Sequence, residues 1–516
     1  MSEEKDKFAQ RRADAQKRKK QLQKMQNAKI KPSTRSKLNG LLIALAVILV
    51  AGVIVFFEAG FVRRLTTAMK VGDERVSSAE FDYYYSDQVI STYNTYYQYT
   101  NGQYLPFLTT QSLKKQPYTE DQTWAEFFED EAKAKIQNVK ALVSAAKAEG
   151  ITLSEKGQAE VEAQMTTVAA YAKQANVSVN QYLRQAYGRG VNEKLMRQIA
   201  SDVALASEYS DVIRGRLEYT DDELEAYYQS DVKETYTYVD LRYLDFTQAD
   251  DKTLEDAKAE ADAFLNGVTT ADQYAEKALA ELKARDEAKA DSETAENSTE
   301  ESTEKAEITD TTARTLVSWT SLKNRDENLA AWAFADERKA GDTAVIEMTD
   351  GTGCYAVYLD KTAYRQDYKT ANVRNIYISV EDTEDTEAME AAKTKAEGIL
   401  DEWKAGAATE ESFAALADQY SELSSEGGLQ EEVTKGTDAV SDWIFDSARK
   451  AGDTAVIEED NGYYVVYYIS EGREYWKVQV GAAKRSADYT AAIDALEEQY
   501  AATSNAFGIW LRDEPF

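Results

Sequence analysis

The first 37 positions are almost wholly polar, and an unbroken apolar run follows, GLLIALAVILVAGVIVFF from Gly40 to Phe57. With Leu38 and Asn39 it reaches the ~20 residues that a bilayer-spanning helix needs. Residues 38–58 are therefore expected to form an N-terminal transmembrane helix. Past it, KVGDERVSSAEF (70–81) brackets a Gly-Asp turn with short apolar positions, and Ser78 is the expected N-cap of a helix. A Tyr-rich stretch runs from Tyr83 to Tyr104, offering apolar area with a polar tip for packing or for a binding surface. From about 123 to 215 apolar residues recur at helical spacing, as in Trp124, Phe128, Ala132 and Ile136. Thr220-Asp221-Asp222-Glu223 reads as a capping box opening another helix.

From about 235 the texture changes to strand-like runs, such as TYVDLRYLDF (237–246), alternating with helical ones. Residues 285–312 hold Glu, Ala, Ser, Thr, Asp and Lys with almost nothing apolar, and are expected to be a disordered acidic insertion. RKAGDTAVIE occurs twice, at 338–347 and 449–458. The match extends outward: Trp332-Ala333-Phe334 pairs with Trp443-Ile444-Phe445, GCYAVYL (353–359) with GYYVVYY (462–468), and LRYLDF (241–246) with VRNIYI (373–378). Two copies of one α+β unit follow a helical region, 235–365 and 366–475, with a helical tail at 476–516.

Charge adds a direction. The basic tail 1–37 precedes the apolar run, and most of the rest is acidic, giving a net charge of −32. The positive-inside rule puts residues 1–37 in the cytoplasm and the bulk outside, as a single-pass protein of the cell membrane contacting the bilayer through 38–58. The acidic bulk argues against nucleic acid as a partner. The chain has no histidine and one cysteine, Cys354, expected in the core. This composition excludes Ser-His-Asp and Cys-His catalysis and the usual zinc sites, so no metal or cofactor is expected. No GxxxxGK[ST] loop supports an ATPase.

The second copy resembles a parvulin-type peptidyl-prolyl isomerase domain through VRNI, the helix AAKTKAEGILDEWKAG, FAALADQYSELSSEGGL (413–429) and GYYVVYY. Residues 66–234 resemble the helical chaperone domain of SurA- and PrsA-type foldases, with Val71-Gly72-Asp73 at its opening strand and Thr220 to Tyr228 leading into the isomerase domain. The resemblance implies an α+β protein: transmembrane helix, mainly helical chaperone-like domain, two degenerate parvulin-like repeats. It implies binding of unfolded or secreted polypeptides by an extracytoplasmic folding factor.

The family's polar site positions fall on Asn375, Leu423 and Tyr464. The two histidines are thus replaced, by Tyr243 and Tyr355 in the first copy. Isomerase activity is expected to be weak or absent. An active histidine-free isomerase and a non-catalytic envelope or secretion scaffold are the alternatives. Trp443, Phe445, Tyr463 and Tyr464, with Trp332 and Phe334 of the first copy, are the candidates for a polypeptide-binding wall.

Overall fold

A computed structural model describes residues 3–26, 60–248, 252–293 and 309–515. The expected membrane-spanning helix at 38–58 lies outside them. Among the described residues no helix is long and apolar enough to cross a membrane. The long helices Ser78–Thr100 and Trp124–Ala148 each carry charged residues and bury only part of their surface. The fold class is corrected accordingly: the described residues form an α+β fold with no membrane-spanning helix among them. The basic segment forms a helix, Glu3–Gln26.

The described chain divides into two compact units, Leu217–Asp488 being inserted within a first unit made of residues 1–216 and 489–516. In the first unit β1 (Thr67–Val71) and β2 (Glu74–Ser77) form a hairpin. Gly72, at φ 54°, occupies the turn. Ser77, rather than Ser78, caps the next helix, its hydroxyl accepting from the Glu80 backbone N–H at 3.1 Å. That helix splits the Tyr-rich stretch. Tyr83, Tyr84 and Tyr85 are buried, while Tyr97, Tyr99 and Tyr104 stand exposed. Trp124, Phe128, Ala132 and Ile136 do enter the core, with Met196 and Ile199 of helix Glu193–Gly215.

The tail does more than add a helix. After Gln499, the end of helix Tyr475–Gln499, residues 502–504 form β11, which pairs antiparallel with β1. Ile509 enters the same core. Asp513 accepts from the Arg189 backbone N–H at 2.9 Å and pairs with Arg63 at 2.8 Å, while its own N–H donates to the buried Asp82 at 3.0 Å. Burial pushes Asp82 well up. Burial also raises Asp513, but the hydrogen bonds from Arg189 and the charges of Arg63 and Arg189 outweigh it, so this carboxyl sits below its ordinary range.

A second buried knot joins three helical elements. Lys140 is 1% exposed, and its Nζ lies 2.6 Å from both Glu80 and Asp202. Burial disfavours the ammonium, yet the two carboxylates more than offset this and raise its pKa. Glu80 is raised by burial, which Lys140 offsets only in part.

The second unit holds two four-stranded antiparallel sheets of matching order. β3 (Tyr238–Thr247), β4 (Ala313–Ser318), β5 (Thr343–Glu347) and β6 (Gly353–Tyr364) run β4-β3-β6-β5. β7 (Lys369–Ser379), β8 (Leu429–Val433), β9 (Thr454–Glu459) and β10 (Gly462–Glu474) run β8-β7-β10-β9. The repeated decapeptide makes the same turn in both. Gly341 and Gly452 adopt φ 90° and 89°, the region glycine enters without Cβ strain. Gly341 donates to the Leu359 carbonyl at 2.8 Å, and Gly452 to that of Tyr468 at 2.9 Å.

The first part of the expected disordered insertion is helical instead. Helix Ala271–Glu293 covers 285–293, because ARDEAKADSE is rich in strong helix formers that need no buried face. Residues 294–308 lie outside the described ones. Cys354 is buried as expected, and burial pushes its thiol up to about 11. The Thr220–Glu223 capping box forms, with Thr220 N–H donating to Glu223 at 2.8 Å and Glu223 N–H to Thr220 Oγ1 at 3.3 Å.

Lys140→Met strands Glu80 in the core, and is expected to cost about 3–5 kcal/mol. Urea unfolding measures this, and adding Glu80→Gln is expected to recover part of the loss. At the end of β10, hydrogen bonds from Lys369 and Lys477 hold Glu474 down to about 2, below the ordinary 4.5. A depressed carboxylate stabilises above its unfolded pKa and loses that contribution as pH falls from about 4.5 towards 2. Glu474→Gln is expected to flatten this stretch of a Tm–pH profile slightly, and less in high salt because the pair is exposed.

Candidate functional site

β7 and β10 form the floor of the repeat-2 site. Their register places Asn375 opposite Val466 and Tyr377 opposite Tyr464. Side chains alternate between faces along a strand, so Asn375, Tyr377, Tyr464 and Val466 share one face. Helix Ala439–Ile444 covers this face through Ile444. Its N-cap is Asp438, whose Oδ1 accepts from the Ser441 N–H at 2.6 Å. Glu459 Oε1 accepts from the Val440 N–H at 2.9 Å. A cavity of about 270 Å³ opens between floor and helix, with Asn375, Gln430, Asp438, Ser441, Glu459 and Tyr464 among its walls.

Asn375 is 3% exposed. Its Nδ2 donates to Gln430 Oε1 at 3.1 Å, while its Oδ1, buried, has no partner. The Tyr464 ring stacks on Tyr377 at 4.6 Å, and the Tyr377 hydroxyl donates to the Asn461 carbonyl at 2.9 Å. Burial, then the neighbouring Tyr377, Glu459 and Asp438, raise the Tyr464 pKa, so at neutral pH its hydroxyl keeps its proton and can donate. Gly427 and Gly428 both have positive φ, 57° and 64°. A Cβ on Gly428 would lie 2.2 Å from the Asn375 carbonyl oxygen, so this turn must be glycine for the chain to press against Asn375.

Asn375 and Tyr464, named from the sequence, are thus brought together. Leu423 is not among the residues lining the cavity. Its N–H donates to Ser421 Oγ, which also accepts from Tyr377, so its loop is fastened beside the strand end. Trp443 and Phe445 pack on the same face of the sheet but not in the cavity. Arg449 lies over Trp443 at 3.8 Å, and Phe445 meets Tyr368 edge-on. Tyr463 is a correction: it follows the alternation to the opposite face, buried against helix Thr386–Ala405, with its hydroxyl donating to Glu458 at 2.8 Å.

In repeat 1, Tyr243 and Tyr355 meet edge-on at 5.5 Å at the positions of Asn375 and Tyr464. Trp332 lies under Arg338, and Phe334 packs on Trp319. Phe334 and Trp319 line a different cavity, of about 630 Å³, with Tyr228, Tyr364 and Arg365. The expected wall is therefore not one surface, and residues of the two copies do not combine in one cavity. Reading the sequence missed Gln430, Asp438, Ser441 and Glu459 as wall residues. Asp438, three positions before Ser441 at a helix start, was the one local signal.

Residues 357–471 match the PPIC-type PPIASE domain family. The chain carries a parvulin domain. The match takes in part of β6 and all of repeat 2 up to Glu471, and leaves most of repeat 1 and the helical unit outside. No curated protein matches the chain.

Gly428→Ala is expected to displace Asn375 and the Gly-Gly turn together. The amide resonances of Asn375 and Gln430 should move in a 15N–1H spectrum, while those of the Gly341 turn in repeat 1 stay in place. Unmoved resonances at Asn375 would show that the close approach is not tight.

Proposed function

We propose that this protein is a parvulin-family folding factor that holds unfolded or secreted polypeptides, with weak or no prolyl isomerase activity. The observation that carries the reading is the repeat-2 cavity. It lies on the covered face of a parvulin-domain sheet and is open enough for a side chain and its flanking backbone, yet its two central strands contribute Asn375 and Tyr464 instead of histidines.

Isomerisation about a prolyl bond meets a barrier of about 18–20 kcal/mol from lost amide resonance. A catalyst lowers it by binding the twisted amide more tightly than the planar one. Asn375 offers an acceptor and Tyr464 a donor, but Leu423 contributes no polar group near the reacting bond. A cavity that binds both forms alike accelerates nothing. The exposed Tyr97, Tyr99 and Tyr104 of the helical unit supply a second surface for extended chain, as the sequence resemblance of that region to SurA- and PrsA-type foldases would require. A histidine-free isomerase is the second reading, favoured by the unpartnered Oδ1 of Asn375 in a cavity that Tyr464 also lines.

NMR exchange on proline tetrapeptides, with the full chain at catalytic amounts, is expected to show no rate above the uncatalysed one. Stoichiometric amounts should delay aggregation of a reduced, unfolded client. Strong acceleration that disappears in Asn375→Ala would establish the second reading instead, and failure to delay any aggregation would remove the holding function.

A further inference from the structure

We propose that the repeat-2 cavity selects a cationic side chain, lysine or arginine, next to the proline of a bound segment. This rests on the reading that the cavity binds polypeptide, and specifies which polypeptide.

The walls offer acceptors. Asn375 is 97% buried by its 3% exposure, and its Oδ1 has no partner because Nδ2 is held by Gln430. An unpaired buried oxygen of this kind costs about 1–3 kcal/mol, and only a donor relieves it. Asp438 and Glu459 border the same space. Each uses one carboxylate oxygen to accept from the backbone of helix Ala439–Ile444, which fixes the group in place and leaves its other oxygen without a hydrogen-bond donor among the described residues. Among the described residues lining the cavity, none is cationic. The nearby cations are engaged elsewhere: Lys435 lies over the Tyr368 ring at 4.8 Å, and Arg449 over Trp443 while paired with Asp453.

Two carboxylates and a buried, unpartnered amide oxygen favour an ammonium or guanidinium over a neutral side chain, and repel an acidic one. Charge-assisted hydrogen bonds are about twice as strong as neutral ones. The aliphatic stem of lysine or arginine suits the remaining wall, where Val433, Val440 and Ile444 stand.

The test uses the full chain and fluorescent peptides identical except before proline, where lysine, norleucine or glutamate stands. Norleucine keeps the stem of lysine without its charge. Anisotropy titration is expected to show the lysine peptide binding roughly tenfold tighter than the norleucine one, with glutamate weakest. Raised salt should narrow the gap. Glu459→Gln keeps an oxygen for the Val440 N–H but removes the charge, and should weaken the lysine peptide more than the norleucine one. Asn375→Leu should shrink it too. Equal binding of lysine and norleucine, or preference for glutamate, overturns the selectivity and leaves polypeptide binding standing. Binding of none of the three overturns both.

Discussion

Successive side chains in a strand face opposite ways, and a slip of one residue between partners would exchange the two faces. The long pairing of β7 with β10 fixes that choice for the parvulin domain. Ile376, Ile378, Val465 and Tyr463 go to the helices Thr386–Ala405 and Glu410–Tyr420, while Asn375, Tyr464 and Val466 go to the short helix and the cavity. β10 is held on its other side by β9, and the repeated Gly-Asp turn ties the approach to β9 back onto β10 through Gly452 and Tyr468. The site is thus a consequence of register. The wall residues keep ordinary backbone conformations, and the left-handed Gly427 and Gly428, beyond the wall, let the backbone close on Asn375.

The same frame carries a different filling in repeat 1. The sheet order and the Gly-Asp turn are kept, and two faces again receive separate cores. Where repeat 2 has an amide and a cavity, repeat 1 has two tyrosines in edge contact, with Arg314 over the Tyr243 ring. Tyr243, where repeat 2 has Asn375, adds an aromatic ring to the apolar packing around Tyr355. Duplication of the frame therefore did not duplicate the site.

Much of this was legible in the chain. An identical decapeptide at two places with aligned flanks gave away both sheets, and Thr220 with Glu223 marked a helix start that forms as read. The errors have physical causes. Tyr463 and Tyr464 are neighbours in a strand and cannot both line one wall, so naming both ignored the period of two. Asp438 and Glu459 lie apart in sequence and border one cavity because backbone N–H groups of helix Ala439–Ile444 donate a hydrogen bond to each. The helical tail hid a strand: Ala502–Ser504 is three residues long, too short for an alternation to show, and its partner β1 is remote. The apolar run at 40–57 predicted a membrane-spanning helix that finds no support among the described residues.

Pairing of β11 with β1 has a consequence for the order of events on the ribosome. Val71 and Ala502 are neighbours in the finished sheet, yet roughly 430 residues of chain are made between them. At about 5–20 residues per second, the edge of β1 waits some 20–90 s for its partner, and so do Arg63 and Asp82 for Asp513. The inserted unit, Leu217–Asp488, leaves the exit tunnel whole before then and is free to fold first. Of the two, the helical unit is the one that stays open for the nascent chain's longest interval, and a stop between residues 488 and 502 would release a molecule with a finished parvulin domain and a helical unit lacking β11.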